Sequence, residues 1–513
     1  MSGVTRRSVL LGALGIGAAG VLSGCTSAVQ QAREANTAPG TVGGTLVLGS
    51  LADIDPKSIY SQSVTTMAIG LLVWDTLIRY DRRTRTPTPA VARSWEAAPD
   101  GLSMTLRLRD DVRFHSGRAL TSKDVAYAVS VYASDAAGSQ LQAAAKAVTA
   151  VETPDPLTAV LRFAAPVPNI FDLLEFMLLV DENSAAGLRA GTEFVGTGPF
   201  RFDGREVAAT ARFRRFDDYW RGPARLDGVV LRVVRDSGAL LTSIRAGQSD
   251  LVLDAAPRAL RQFRDESLYR VTTGDVDDAA YYVGANVASP ALADKRVRQA
   301  ISYAVDRDRI AKEVFAGAAQ PSSAPWAATS PGYDAAAAAH YRKDPARARA
   351  LLAEAGGPRR LTLSYPTGLA AAPAIAAIVQ NDLVEAGVEV DLDPREQAAF
   401  SPFLKSGQHQ LWVGPHGFGQ SDPLTLAAGA APFKPKGNLS GFSAPEYTAL
   451  VARLAEAGPG RPAVLREYTE YLLDQQFIVD LVVSPATYVS PARVKGLDWN
   501  LYKYIDLHGV TIR

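Results

Sequence analysis

Cysteine is nearly absent from this chain, which has a single one, Cys25, among its 513 residues. One thiol excludes an internal disulfide framework and any zinc or iron–sulfur site built from cysteines. Histidine is scarce as well, and its five residues leave little room for a histidine-rich metal centre. The sequence therefore predicts neither a metal nor a cofactor.

An excess of charge of one sign is also missing. Lys and Arg total 54 against 53 Asp and Glu, which gives a formal net charge of +1. Nucleic-acid binding needs a clustered basic surface, so we expect no nucleic-acid partner. A content of 47% hydrophobic and 21% charged residues is typical of globular proteins. The length predicts roughly three domains.

A long, strongly apolar run is absent from the N-terminus. The uncharged stretch 8–24 follows Arg6 and Arg7 and is too short and too rich in Gly and Ala for a convincing membrane span. It is typical of a signal peptide. The Leu-Ser-Gly-Cys sequence that ends at Cys25 resembles the bacterial lipobox, whose Cys becomes the lipid-modified first residue. The start also resembles a twin-arginine export signal, although Val9 stands where that pattern usually has Phe, so the general export route stays open.

These features predict a signal peptide over residues 1–24 and a lipid anchor on Cys25. Residues 25–43, rich in small and polar side chains, then form a flexible tether. The predicted location is extracytoplasmic, on the outer face of the cell membrane. An ordinary membrane anchor, with Cys25 a chance thiol, is the alternative.

Strand and helix signals alternate along the rest of the chain. Strands are predicted at 45–50, at 104–109, where apolar and polar residues alternate, and at 229–234. Thr121 and Asp124 resemble a capping box that opens a helix. Asp294, Asp306 and Asp344 are predicted helix N-caps, and Gly356 is the predicted stop of the helix that Asp344 begins. This interleaving indicates an α/β or α+β class.

Catalytic motifs are missing. The chain has no phosphate loop, no His-Glu-x-x-His zinc motif and no Gly-x-Ser-x-Gly nucleophile turn. His409 and His416 lie seven residues apart, and without a carboxylate in register they favour surface or loop positions over a metal site. His115 follows a predicted strand, where a turn residue bonded to backbone is favoured. We therefore expect no enzymatic activity.

Several motifs follow one another in order from about residue 44 to the C-terminus. They include Trp-Asp-x-Leu at 74–77, Val-Arg-Phe-His-Ser-Gly at 112–117, Gly-Thr-Gly-Pro-Phe at 196–200, Asp-Tyr-Trp at 218–220, and the segments 294–307 and 344–356. Together they resemble the peptide/nickel group (family 5) of the extracytoplasmic solute-binding proteins of ABC transporters. The resemblance covers nearly all of the chain after the predicted tether.

The resemblance implies an α/β, periplasmic-binding-protein-like (class II) fold of two lobes joined by a hinge, with an extra subdomain inserted in lobe I. Lobe I would comprise 44–60, 190–285 and 488–513. The inserted subdomain would be 61–189, and lobe II would be 286–487. Closure of the lobes around a ligand fits such a hinge.

The resemblance also suggests where a ligand would bind. The expected ligand contacts are Asn286, Trp326, Trp412, His416, Phe418, Asp422 and Asn438. For Asn286 a structural crossover hydrogen bond, and for Trp326 packing of lobe against lobe, are the alternatives.

One position departs from the pattern of the peptide-binding relatives. Alignment on Pro423 puts Gly419 where those relatives have an Asp that holds the α-ammonium of the peptide. A buried ammonium without a counter-charge is costly, which weighs against an ordinary α-peptide. A one-residue gap would restore the match.

The resemblance implies a monomeric receptor that captures a small solute, oligopeptide-like or another ligand of this group. It would deliver the solute to an ABC permease and its ATPase. The alternatives are a ligand-sensing lipoprotein that engages a signalling partner, and an extracellular hydrolase that uses a cleft carboxylate such as Asp422.

Overall fold

The computed structural model of the chain describes residues 42–253, 255, 257–419, 421–456 and 458–512. The signal peptide, Cys25 and nearly all of the tether lie outside the described residues. The strands are β1 (Thr45–Ser50), β2 (Ile78–Tyr80), β3 (Pro87–Pro89), β4 (Ala92–Ala97), β5 (Ser103–Leu108), β6 (Val148–Asp155), β7 (Thr158–Phe163), β8 (Phe200–Glu206), β9 (Thr210–Arg215), β10 (Gly228–Val233), β11 (Leu251–Leu253), β12 (Tyr269–Ala285), β13 (Gln320–Pro321), β14 (Arg360–Pro366), β15 (Glu389–Arg395), β16 (Leu411–His416), β17 (Ile478–Pro491), β18 (Asp498–Trp499) and β19 (Ile505–Asp506). The α-helices are α1 (Val64–Val73), α2 (Ser122–Ala133), α3 (Gln142–Ala147), α4 (Ile170–Phe176), α5 (Ala185–Ala190), α6 (Ser237–Arg245), α7 (Lys295–Ala304), α8 (Arg307–Glu313), α9 (Ala335–Ala338), α10 (Pro345–Ala355), α11 (Ala372–Glu385), α12 (Gln397–Lys405), α13 (Pro423–Gly429), α14 (Pro445–Ala455) and α15 (Arg461–Gln475).

The strands that the sequence predicts are present. β1 has the predicted bounds, and β5 and β10 each begin and end one residue earlier than predicted. Along β5 the apolar side chains of Met104, Leu106 and Leu108 are all buried, as the alternation of apolar and polar residues requires.

The predicted helix caps are confirmed. Asp124 accepts the backbone N–H of Thr121 at 2.8 Å, which completes the capping box of α2. The side chains of Asp294, Asp306 and Asp344 accept backbone N–H groups in the first turns of α7, α8 and α10. Gly356 ends α10 with φ +57°, a left-handed conformation that glycine adopts without strain.

One large sheet runs through the molecule. Its strand order is β15-β14-β16-β12-β17-β11-β1-β10-β9-β8, and β13 also pairs with β17. We call the end built from β14, β15 and β16 the lobe II end, and the end built from β1 and β8 to β11 the lobe I end. The two long strands in the middle, β12 and β17, belong to both ends, because β12 pairs with β16 at 280–285 and β17 pairs with β11 near its own end.

The pairing of β12 with β17 is interrupted midway. The register shifts between Thr273 and Asp277, between Asp277 and Ala279, and between Tyr281 and Tyr282. Such irregularities bend a strand and strengthen its twist. The sheet therefore changes direction where it passes from the lobe I end to the lobe II end, which is the two-lobed α/β fold that the sequence analysis expects.

A separate sheet of four antiparallel strands, β4-β5-β7-β6, lies between residues 92 and 163. These residues fall inside the segment 61–189 of the predicted inserted subdomain, which we call the insertion. The exact boundaries of the lobes and of the insertion stay predictions.

Two large apolar clusters support this arrangement. One fills one face of the lobe II end, where Ile301, Ile310, Leu351 and Ile375 of the covering helices pack on the strands. The other is continuous from the lobe I end through the insertion to Phe418 and Tyr447, on the opposite face of the lobe II end. Lobe II is therefore in apolar contact with the rest of the molecule. Within the described ranges, every helix is too short or too polar to cross a bilayer.

Candidate ligand-binding site

Three distant parts of the chain meet where lobe II faces the insertion. Phe418, in the loop after β16, lies with its ring centroid 6.2 Å from that of Phe176 in α4. The ring of Tyr502, in the C-terminal segment, lies 5.8 Å from Phe418 and 5.0 Å from Phe176. All three rings are buried. Aromatic rings held together by different bodies are a suitable surface for enclosing a small molecule.

Glycines let the two sides approach at backbone distance. A Cβ placed on Gly429, the last residue of α13, would lie 1.8 Å from the carbonyl oxygen of Gln140. A Cβ on Gly417 would lie 2.6 Å from Oε1 of Gln62. At 429 the obstacle is backbone, so only glycine fits, whereas at 417 the side chain of Gln62 would have to move aside; the contact between lobe II and the rest of the molecule is close-packed.

Amide side chains border the same contact. The backbone N–H of Gln62 donates to Oε1 of Gln140 at 3.0 Å, and Nε2 of Gln62 donates to the carbonyl of Tyr502 at 3.2 Å. These bonds join the start of the insertion, the loop before α3 and the C-terminal segment. The candidate site is thus the surface around Phe418, lined by aromatic rings and neutral amides.

Two of the seven predicted ligand contacts, Phe418 and Asp422, lie at this surface. Phe418 points toward the insertion. The carboxylate of Asp422 instead faces its own lobe, where it accepts from the N–H of Leu424 and forms a two-pronged ion pair with Arg461. Such a paired carboxylate is held in place as a helix cap.

The side-chain amides of Asn286 and Asn438 form hydrogen bonds with backbone groups. Nδ2 of Asn286 donates to the carbonyls of Gly407 and His409, which matches the structural crossover bond of the alternative interpretation. Asn438 bonds to the backbone of Lys434 and Phe442.

Trp326 and Trp412 are buried inside lobe II. Nε1 of Trp326 donates to Oγ1 of Thr469 at 2.9 Å, and Nε1 of Trp412 lies 3.4 Å from the hydroxyl of Tyr282. The assignment of all seven residues as ligand contacts stays a prediction.

His416 belongs to a buried group of side chains on the large sheet. It is the last residue of β16 and is buried, so the expectation of a surface or loop position was wrong for His416; His409 lies in the loop before β16, as expected, and is buried there. Nε2 of His416 lies 3.5 Å from Oδ1 of Asp480, and the ring stacks on Tyr282. Burial raises the pKa of Asp480, and the nearby imidazole opposes that rise. Among the described residues, no three His, Cys, Asp or Glu side chains are grouped as a metal site would require.

Several of the sequence motifs meet at a second buried group of residues, centred on Asp75. These motifs are far from Phe418 in the sequence. Asp75 accepts from the hydroxyl of Tyr219 at 2.9 Å and from Nε1 of Trp220 at 3.0 Å. Burial raises its pKa. A Cβ on Gly196 would lie 2.0 Å from the carbonyl oxygen of Val73, which explains a glycine at that place in the 196–200 loop. These motifs hold lobe I against the insertion.

His115 joins two of the motifs, as a turn residue bonded to backbone. Its Nε2 lies 2.9 Å from the carbonyl oxygen of Gly198, and its Nδ1 accepts from the N–H of Gly196 at 3.3 Å. Because a carbonyl only accepts, Nε2 carries the proton. Burial lowers the pKa of His115 to about 4, so the ring is neutral at physiological pH.

A cavity of about 470 Å³ lies between the insertion, the segment around Trp220 and the C-terminal segment. Its walls include Tyr80, Glu175, Trp220, Arg221 and Trp499. All of its lining residues come from 75–90, 175, 220–221 and 498–506. The cavity is therefore separate from the surface that lobe II covers.

Comparison with known proteins agrees with this architecture. Residues 86–432 match the family of bacterial extracellular solute-binding proteins, family 5 (middle part). A protein of Brucella ovis, named as an ABC transporter peptide-binding protein, is 28% identical over 373 residues, which is 69% of each chain.

Solved structures show the same fold. DppA of Helicobacter pylori in complex with the peptide STSA has a TM-score of 0.80 and 22% identity, covering 92% of this chain and 98% of that one. AgaA in complex with agropinic acid has a TM-score of 0.81 and 22% identity, covering 92% and 99%. The chain belongs to family 5 of the bacterial extracellular solute-binding proteins.

Several residues of the site were missed by the sequence analysis. Gln62, Gln140, Phe176 and Tyr502 are far apart in the chain and stand in no recognisable motif. Only the fold of the whole chain brings them to Phe418.

Proposed function

We propose that this chain is the substrate-binding lipoprotein of an ABC import system. It captures a small solute, oligopeptide-like or another ligand of the peptide/nickel group, between its lobes and delivers it to the membrane permease and ATPase. The observation that carries the proposal is the sharing of β12 and β17 by both lobes, with lobe II meeting the insertion at Phe418 and Phe176. It performs no chemistry on the solute.

The proposed division into bodies is lobe I at 44–60, 190–285 and 488–513, the insertion at 61–189, and lobe II at 286–487. Cys25 carries the lipid that holds the protein, as a monomer, on the outer face of the cell membrane. Export follows the twin-arginine or the general route.

The packing of Gly419 bears on the ligand. A Cβ at this position would lie 2.2 Å from the carbonyl oxygen of Pro325, so no carboxylate side chain fits there. The ammonium of a bound peptide would need another partner. The Brucella relative is named for peptides, whereas AgaA was solved with agropinic acid, so a peptide and a different small organic acid are both candidates.

Ligand binding tests the proposal directly. The protein is purified from its own host and examined by native mass spectrometry for a retained small molecule. Peptides, sugars, amines, organic acids and metal chelates are then screened by thermal shift. A ligand at 100-fold excess over its Kd is expected to raise the free energy of unfolding by about 2.7 kcal/mol.

Uptake provides the second measurement. Deletion of the protein is expected to abolish uptake of the ligand that the screen identifies. No retained molecule, no thermal shift and no uptake defect would contradict the proposal, as would turnover of the bound solute.

The anchor is tested separately with Cys25→Ser. The variant is expected to appear in the medium or soluble fraction, whereas the unchanged protein sediments with membranes. A variant that remains with the membranes would contradict lipid attachment at Cys25.

A further inference from the structure

Asp172 of α4 lies directly opposite the first turn of α13 in lobe II. Its Oδ2 accepts from the backbone N–H of Asp422 at 3.0 Å and from Oγ1 of Thr425 at 2.5 Å. Both side chains, Asp172 and Thr425, are 2% exposed. Hydrogen bonds to a carboxylate in such a place are about twice as strong as those between neutral groups.

Thr425 is engaged from the insertion by a second side chain. Nδ2 of Asn169 donates to Oγ1 of Thr425 at 2.9 Å, so this hydroxyl accepts from one residue of the insertion and donates to another. A hydroxyl has one proton to donate, and Thr425 uses it on Asp172. The carboxylate of Asp422 is occupied by Arg461 in its own lobe, which leaves the backbone N–H of Asp422 for Asp172.

These contacts connect the insertion with lobe II, two bodies that the chain itself joins only at a distant point. Asp172 and Asn169 belong to the insertion, and Asp422 and Thr425 belong to lobe II. A movement of lobe II away from the insertion would break all three hydrogen bonds at once, and water would replace them.

We propose that Asp172, Asn169 and Thr425, with the backbone N–H of Asp422, form a latch that holds lobe II closed and so sets how firmly the solute is retained. The inference rests on the proposed function in one respect, that the lobes open and close. Asp172 is a positioning residue, since it acts on the solute through the position of lobe II.

Protonation adds a second property to the latch. Burial, helped by the neighbouring carboxylate of Asp422, raises the pKa of Asp172 to about 7. The titratable and charged groups that face it are Asp422 and Arg461 of lobe II, Tyr80 and Glu175 of the insertion, and Tyr502. Burial also raises the pKa of Glu175 to about 7, but the groups that act on it belong to the insertion and the C-terminal segment, which stay in place when lobe II moves.

The sign of the pH effect follows from the raised pKa. With lobe II removed, water reaches Asp172 and its pKa returns toward the ordinary value of about 4. The closed form therefore binds the proton more tightly than the open form. The closed fraction is highest at low pH and falls as the pH rises to about 7.

Distance measurement between the two bodies tests the latch without any ligand. Spin labels are placed on Lys123→Cys in the insertion and Lys436→Cys in lobe II, both exposed, in the full chain carrying Cys25→Ser. The two introduced thiols are then the only ones. Double electron–electron resonance reports the closed-to-open ratio as the populations of short and long distances.

Asp172→Ala and Thr425→Val are each expected to lower the closed-to-open ratio roughly tenfold, because each removes the hydrogen bond between these two side chains and one further bond across the contact. Their double variant is expected to be less open than the sum of the two single effects predicts, because the bond between Asp172 and Thr425 is lost in both. Asp172→Asn keeps an oxygen that accepts from Asp422 and Thr425, and is expected to stay closed. Thr448→Val, at an exposed threonine bonded only within α14, is the matched control.

In a second experiment the closed fraction is measured against pH in the labelled chain with and without Asp172→Asn. The closed fraction is expected to fall between about pH 4 and pH 7 when Asp172 is present and to be constant in the Asn variant. Unchanged distances in both Asp172→Ala and Thr425→Val, additive effects in the double variant, or a chain that is open at every pH would overturn the latch. A failed ligand screen would count against the proposed function and leave these distances as a separate result.

Discussion

Individual buried polar residues hold lobe I and the insertion together, and Asp75 is the clearest case. Its carboxylate is buried and accepts from the buried Tyr219 and from Trp220, which is partly buried. Asp75→Ala would take away the acceptor of the buried Tyr219 hydroxyl and of Nε1 of Trp220. We expect the free energy of unfolding to fall by about 3 kcal/mol, measured by urea denaturation. Asp75→Asn, which keeps one acceptor, is the control and should lose less; a loss below about 1 kcal/mol for the Ala variant would contradict the role.

The buried ring of His115 makes the free energy of unfolding depend on pH. Its pKa is lowered to about 4 in the folded chain, whereas an unfolded histidine titrates near 6.5. Between these values the unfolded state binds more protons, so the stability contributed by His115 falls as the pH falls from about 6.5 to about 4, by up to roughly 3 kcal/mol. The measurement is the difference in unfolding free energy between the unchanged chain and His115→Gln across that range. A difference that does not vary with pH would mean that the ring is not buried in its neutral form.

Helices and strands follow local sequence signals closely, and α2 shows why. Asp124 caps the first turn of α2 and also pairs with both guanidinium nitrogens of Arg118. Asp124→Ala removes the Asp124 half of the capping box and leaves Arg118 with one carboxylate, that of Asp181. We expect a loss of about 2 kcal/mol in the free energy of unfolding. Asp135→Ala, at an exposed acid paired with Lys146, is the matched control and should cost less than about 1 kcal/mol; equal losses in the two variants would contradict the capping role.

The sequence predicts the elements well, whereas the residues that meet around Phe418 could not be read from it, for one physical reason. Caps such as Asp306 and strands such as β5 are decided by a few neighbouring residues, which can be read along the chain. Gln62, Gln140 and Tyr502 reach Phe418 only through the packing of whole bodies. Trp412 and His416 have side chains that suit a ligand site, but they lie inside lobe II. Strand alternation places both of them against Tyr282 and its neighbours on the buried face. Chemistry alone does not show which way a residue faces.

At the scale of the whole molecule, closure depends on Gly429. A Cβ there would meet the carbonyl of Gln140, and φ of Gly429 lies outside the left-handed region, so Gly429→Ala is expected to fold normally but not to close fully. We expect a larger radius of gyration by small-angle X-ray scattering. Affinity for the ligand should be weaker by at least about tenfold, since fewer molecules are in the binding-competent state.

Gly460→Ala provides the matched comparison for this prediction. Gly460 also lies in lobe II, has a helical backbone conformation and has open space where a Cβ would be. It is expected to leave both the radius of gyration and the affinity unchanged. If Gly429→Ala behaved like Gly460→Ala, the two bodies would not meet as closely as the structure shows.

The position of β1 has a mechanical consequence. β1 is the first described strand, and it is parallel to both of its neighbours, β10 and β11, in the middle of the lobe I sheet. A pull transmitted through the residues before Thr45 acts along the strand, and its six paired residues with β10 bear the load together instead of opening one after another. Forced unfolding is governed by the rate of crossing that barrier. The chain therefore resists shear at the end from which a tether would hold it.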